Sequence, residues 1–160
     1  MNQWVEESDI NDEARQLSRV PLFSKLDPAR LKLIAFTSEQ LALEDDEYLF
    51  YVNMPSDSVY LILDGVLEVM VEHEDKTMEA MVQLGKNRLI GEMGVISNAP
   101  RSASIRSAGK SKVLRIEADT FMDLLSENPS MSLHVMRELT GKLSVSHQQA
   151  IALKEQQFRV

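Results

Sequence analysis

Residues 59–63 (VYLIL) and 66–71 (VLEVMV) are two apolar runs, and only Asp64 and Gly65 lie between them. Asp-Gly flanked by such runs is the strongest short-range signal for a β-hairpin, because a type I′ turn asks for positive φ at both central residues. The pair therefore predicts a tight hairpin and commits this region to antiparallel sheet. The stretch 72–76 (EHEDK) then turns the chain into 78–84 (MEAMVQL), and Ala108-Gly109-Lys110 separates 103–107 from 112–116. Short strands at this spacing, from about residue 40 to 117, predict an antiparallel roll or barrel. No strand–helix alternation argues for a parallel sheet.

Helical signals bracket the strands on both sides. Within 1–38, Asp27 reads as an N-cap with Pro28 at the first helical position, and Leu31, Ile34 and Ala35 share one face. Pro21-Leu22-Phe23 separates this helix from an amphipathic stretch at 14–20. Within 118–160, Phe121, Leu124 and Leu125 mark a short helix, and Asn128-Pro129 starts a long one with no further proline. On it Met136, Leu139, Leu143, Ser146, Ala150 and Leu153 recur at alternating spacings of three and four. That seam either packs on the chain's own roll or pairs with a second copy. Gly141, mid-helix, costs about 1 kcal/mol relative to alanine and marks close packing or a bend.

The 160 residues, 44% of them hydrophobic, are expected to form one domain over 1–160. A domain of that size buries roughly 70% of the surface its unfolded chain exposes. Cysteine is absent, which excludes zinc fingers, iron–sulfur clusters and cysteine nucleophiles. Seventeen Lys and Arg against twenty-five Asp and Glu give a net charge of -8. Such a charge repels a polyanion, so nucleic acid is not an expected direct partner. No apolar run reaches the ~20 residues of a membrane span, and the acidic start MNQWVEESDI does not read as a secretory signal. The expectation is a cytoplasmic protein without a membrane partner. Charge is nevertheless uneven: residues 85–115 carry seven bases against the single acid Glu92, a local net of +6. That excess suits a small anion, although outward-pointing Lys and Arg on strands give the same pattern.

The segment 90–105 (IGEMGVISNAPRSASI) carries the chemistry. It joins a strand to a short helical turn beginning near Gly91 and leads through Pro100-Arg101 into the next strand. Glycine at such a turn lets the backbone approach a ligand, and a helix start presents N–H groups to an anion. Arg101 adds a charged fork beside the amides of Ser102 and Ala103, and arginine grips phosphate bidentately. A carboxylate among these donors would repel a phosphate. Glu92 fits if it accepts from a hydroxyl nearby, as on a ribose.

These residues resemble the phosphate-binding cassette of the cyclic nucleotide-binding domain, whose pattern is Gly-Glu, a short helix, then Pro-Arg, a small residue and Ala. Gly91, Glu92, Pro100, Arg101 and Ala103 stand at those places, and the resemblance extends from Pro21-Leu22-Phe23 to Asn128-Pro129. It implies a mainly β fold with flanking helices, an antiparallel β-roll of the jelly-roll (double-stranded β-helix) type. It also implies that Arg101 binds the cyclic phosphate with Ser102 and the Ala103 amide. Glu92 would take the ribose 2′-hydroxyl, helped by the Gly91 backbone, with Met93 alongside. Family members usually carry glycine where this chain has Asn53 and Asn87, and asparagine tolerates the left-handed conformation next best. In the catabolite activator branch the long last helix packs against its twin and reaches the nucleotide base. Counted without gaps from Asn128-Pro129, the base-reading hydroxyl falls at Ser146, with His147 next and Lys142 one turn earlier. Met81 is a candidate apolar wall for the base. That branch's DNA-binding half does not follow before Val160, so a chain that senses or recruits, and does not read DNA, is expected.

Catalysis is not expected. A metal-dependent jelly-roll enzyme needs clustered histidines, whereas His73, His134 and His147 are dispersed, and no metal or other cofactor is expected. The absence of cysteine disfavours a haem or redox sensor. The expected function is a regulatory domain binding a cyclic nucleotide, cAMP first and cGMP second, with the last helix as lid and dimer contact. The alternative is a nucleotide-free interaction or dimerisation module of the same fold. The downstream effector is left open.

Overall fold

The computed structural model describes residues 7–158, so expectations for 1–6 and 159–160 lie outside the described residues. Helix α1 (Glu7–Ser18), a 3-10 turn (Pro21–Phe23) and α2 (Pro28–Thr37) precede the strands β1 (Glu39–Leu43), β2 (Tyr48–Phe50), β3 (Ser58–Glu72), β4 (Met78–Leu84) and β5 (Leu89–Ile90). The short helix α3 (Glu92–Ser97) comes before β6 (Ser104–Glu117), and α4 (Ala118–Glu127) and α5 (Pro129–Phe158) follow. The sheet runs β1-β6-β3-β4, with β2 also on β6 and β5 also on β3, and every pairing is antiparallel. This is the mainly β roll with flanking helices and a long C-terminal helix that the sequence predicts.

The Asp64-Gly65 hairpin is not there. Residues 58–72 form one continuous strand that pairs with β6 from Ser58↔Glu117 to Met70↔Ser104. Gly65 has φ +85 but Asp64 does not join it in the left-handed region, so the type I′ geometry is unmet. The register shifts on either side of Asp64, which makes the pair a β-bulge opposite residues 108–112. Gly109, with φ +78, sits in the facing irregularity, so 104–107 and 112–116 likewise belong to one strand, which starts one residue after Ala103. The turn that does form a hairpin is 73–77, where Lys76 takes φ +73 and Glu72 pairs with Met78.

The run 59–63 of β3 is apolar at every position because both of its faces are buried there. Val59, Leu61 and Leu63 face a core shared with the helices, around Leu17, Phe23 and Phe121. Tyr60, Ile62 and Leu67 face the interior of the roll, with Phe50, Ile105 and Val113. Phe23 and Phe121 meet edge to face at 6.3 Å, anchoring the 3-10 turn to α4. Asp27 caps α2, accepting from the Arg30 amide at 2.9 Å as its sequence predicts. Asn53 and Asn87 take φ +71 and +69, keeping the turns in which the family usually has glycine.

Helix α5 packs by its first turns only. Met131 and Val135 are buried and Leu139 is partly so, whereas every residue from 140 to 156 is exposed. Thirty residues make a rod of about 45 Å, and the body beneath it ends after Leu139. The part of the seam formed by Leu143, Ser146, Ala150 and Leu153 therefore does not lie on the chain's own roll. Among the described residues no helix is long and apolar enough to cross a membrane.

Candidate functional site

Gly91 caps α3 in the left-handed conformation, φ +84, and Asn98 ends the helix at φ +50. The chain then returns through Ala99 and Pro100 to Arg101, whose backbone is clasped to the β2–β3 loop. The Arg101 amide donates to Met54 O, and the Asn53 amide donates to Arg101 O, both at 2.8 Å. These bonds hold the cassette against the end of β3. Between them lies a cavity of about 350 Å³. Its apolar side is formed by Phe50, Val69, Leu84, Leu89 and Ile105, and its polar side by Glu92, Ser97, Arg101 and Ser102.

Arg101 is 3% exposed and mostly occupied. Nη1 donates to Gly91 O at 3.2 Å, and Nη2 donates to Ser58 O at 2.7 Å. Asp57 supplies the nearest opposite charge, 3.7 Å from Nη2. A Cβ on Gly91 would stand 2.3 Å from Nη1, so only glycine allows this approach. Burial pushes the guanidinium pKa down, opposed by Tyr60 and Asp57, but arginine keeps its charge. One N–H of each Nη is thus committed to a main-chain carbonyl. Nε is buried and has no partner, an unsatisfied donor within the cassette.

Glu92, at the start of α3, is half-buried, and burial raises its carboxyl pKa above the ordinary value. Its own amide, Lys142 and Arg88 oppose that rise, while Glu138 adds to it. The carboxylate also borders a second cavity of about 400 Å³ between the 3-10 turn, α3 and α5. Arg88, His134, Glu138 and Lys142 line that space.

Gly91, Glu92, Met93, Arg101, Ser102 and Ala103 thus meet around one cavity. Lys142 approaches Glu92 from α5 through the neighbouring one. Met81 lines neither: β4 pairs Val82 with Val69 and Ala80 with Met70, leaving Met81 as the extra residue of a bulge, 57% exposed. Ser146 and His147 lie on the exposed part of α5 and line neither cavity. The apolar wall comes instead from Phe50, Val69 and Leu84, which the sequence reading did not select. Alternation along β3 and β4 could have found Val69 and Leu84 once the strand pairing was known. Among the described residues no group of three or more His, Asp or Glu side chains forms a potential metal site.

The model of the cyclic nucleotide-binding domain matches residues 40–128. An uncharacterized NTE family protein of Mycobacterium tuberculosis is 30% identical over 135 residues, 84% of this chain and 22% of that protein. The chain therefore spans about a fifth of that relative's length. Among solved structures, a cyclic nucleotide-binding-like protein from Brucella abortus is 28% identical, with TM-score 0.64 over 72% of this chain and 98% of that one. The sensor domain of the transcriptional regulator DNR from Pseudomonas aeruginosa superposes with TM-score 0.76 at 18% identity, over 85% of this chain and 89% of that one, a likeness of fold. With the roll, the cassette and the family model all coinciding over the same residues, the chain belongs to the cyclic nucleotide-binding domain family.

Proposed function

We propose that the chain is a cytoplasmic regulatory sensor that takes a cyclic nucleotide, cAMP first and cGMP second, into the cavity between α3 and β6. The observation that carries this reading is Arg101, a buried arginine with an unpartnered Nε that lines a cavity sized for a small ligand. Arg101 Nε and the amides of Ser102 and Ala103 meet the cyclic phosphate. Glu92 accepts from the ribose 2′-hydroxyl with help from the Gly91 backbone, and Met93 lies beside them. No chemistry on the nucleotide is proposed, and no cofactor besides the ligand.

Thermal unfolding with cAMP, cGMP and non-cyclic AMP tests the assignment. Ligand at 100 times its Kd contributes about 2.7 kcal/mol, a rise of roughly 5–10 °C for a domain of this size. At least one cyclic nucleotide is expected to reach that rise, with AMP giving less. If neither cyclic nucleotide raises Tm, the chain is a nucleotide-free interaction module.

Bare apolar side chains on α5 support the second part of the proposal, homodimerisation. Met136, Leu143 and Leu153 are 58%, 71% and 63% exposed along one seam. A second copy would cover them, and Ser146, His147 and Lys142 of the paired helices would then stand over the nucleotide base as a lid. Sedimentation at several concentrations is expected to give a dimer that Leu143→Glu converts to monomer. A monomer at every concentration refutes the pairing.

A further inference from the structure

We propose that Phe50 is the positioning residue of Arg101: its ring carries the guanidinium, so that with both Nη groups held by main-chain carbonyls the Nε–H is presented to the ligand in one orientation. This rests on the cyclic nucleotide reading above. Phe50 ends β2 and is fixed by pairing with Ile105, on the strand that begins three residues after Arg101. Its ring lies under the guanidinium, 4.2 Å from the ring centroid to Cζ. Tyr60 of β3 stands behind it, 5.9 Å from Phe50 between ring centroids and 5.8 Å from Cζ. All three side chains are buried, so the attraction between cation and ring faces is not screened by water.

The geometry divides the work. The bonds to Gly91 O and Ser58 O fix two corners of the planar guanidinium, and they alone would allow it to tilt about the line joining them. A flat aromatic surface on one side removes that tilt. The third corner is Nε, the buried donor without a partner. A leucine at this place would fill much of the same volume while offering no π face. The structure thus gives Phe50 a task beyond filling the roll interior, although its side chain also lines the cavity.

The test separates the ring's face from its bulk. In Phe50→Leu, ¹⁵N relaxation of the Arg101 Nε–H, assigned by its loss in Arg101→Lys, is expected to fall from a rigid order parameter near ~0.85 to below about 0.6. Titration with cAMP and cGMP is expected to show about 10-fold weaker binding, the equivalent of about 1.4 kcal/mol and within the range of a desolvated cation–π contact. Phe50→Tyr, which keeps the aromatic face, is expected to keep the rigid Nε–H order parameter of wild type. In the Arg101→Lys background, Phe50→Leu is expected to add less than about twofold, because the group it positions is gone. If Phe50→Leu does not fold, Phe50→Met takes its place in every arm. A folded variant whose Nε–H remains as rigid as in wild type, or whose affinity is unchanged, overturns the proposal. The relaxation arm needs no ligand, so it decides the role of Phe50 even where wild type binds neither nucleotide and the functional reading fails.

Discussion

Arg101→Ala is expected to abolish the cyclic nucleotide response and to destabilise the ligand-free protein as well. The first effect follows from Nε: without it the cavity keeps amides and a carboxylate but loses its only buried cation, and the phosphate would sit near Glu92 with no counter-charge. The second follows from where the rest of the guanidinium is spent. Nη1 and Nη2 satisfy Gly91 O and Ser58 O, so alanine strips donors from both carbonyls and opens a space above Phe50. Losing a buried charged donor of this kind costs about 3 kcal/mol, which lowers Tm by roughly 6–12 °C in a domain of this size. Scanning calorimetry without ligand reads the stability effect. Titration calorimetry at a temperature where the variant is folded reads the binding effect, so that unfolding is not mistaken for lost affinity. A variant that keeps both the wild-type Tm and the nucleotide response would show Arg101 to be neither strut nor anchor. Arg101→Lys is expected to fall between, because an ammonium keeps the charge but cannot span two carbonyls and still present a third donor.

What the sequence disclosed divides along the range of the interactions involved. The cassette was legible because its parts are neighbours: Gly91 starts a six-residue helix, Asn98 ends it, and Pro100-Arg101 follows within a few residues. Asp27 was legible as a cap for the same reason, its oxygen reaching an amide three residues on. Asn53 and Asn87 were legible through the resemblance, standing where the family usually has glycine, and both take positive φ. The walls of the cavity were not legible, since Phe50, Val69 and Leu84 come together only through pairing across the sheet. Met81 stands outside the cavity on β4, a strand exposed along its length except at Leu84, and that exposure follows from its pairing with β3 alone, which no local pattern gives. Nor could any local pattern show that the two Nη groups of Arg101 are held by Ser58 and Gly91, 43 and 10 residues away. The seam on α5 was legible as a pattern, but a pattern does not state how far the body extends beneath it.

Gly65→Ala is expected to be far more damaging than Gly109→Ala, although both glycines are left-handed, at φ +85 and +78. The shared part of the cost is conformational. A Cβ at positive φ strains the backbone by roughly 1–2 kcal/mol wherever it is placed. The difference lies in what the new carbon would meet. At Gly109 no atom stands within 4 Å, so the strain is the whole penalty. At Gly65 the carbon would fall 2.6 Å from Lys110 O, 2.7 Å from Ser111 Cβ and 2.8 Å from Ser111 Cα. Two of these three atoms are main chain of the partner strand and cannot rotate away. Relief would require β3 and β6 to separate at the bulge where both strands change register, between the core under the helices and the core inside the roll. Adding overpacking of 1–3 kcal/mol to the strain gives about 2–5 kcal/mol, against about 1–2 kcal/mol at Gly109. Urea unfolding measures both, with an unchanged m-value showing that the difference belongs to the native state. Equal losses at the two positions would mean that the strands do not approach as closely as the register implies. A larger loss at Gly65 would show that Asp64-Gly65, the residues that read as a turn, instead let two long strands cross at contact distance.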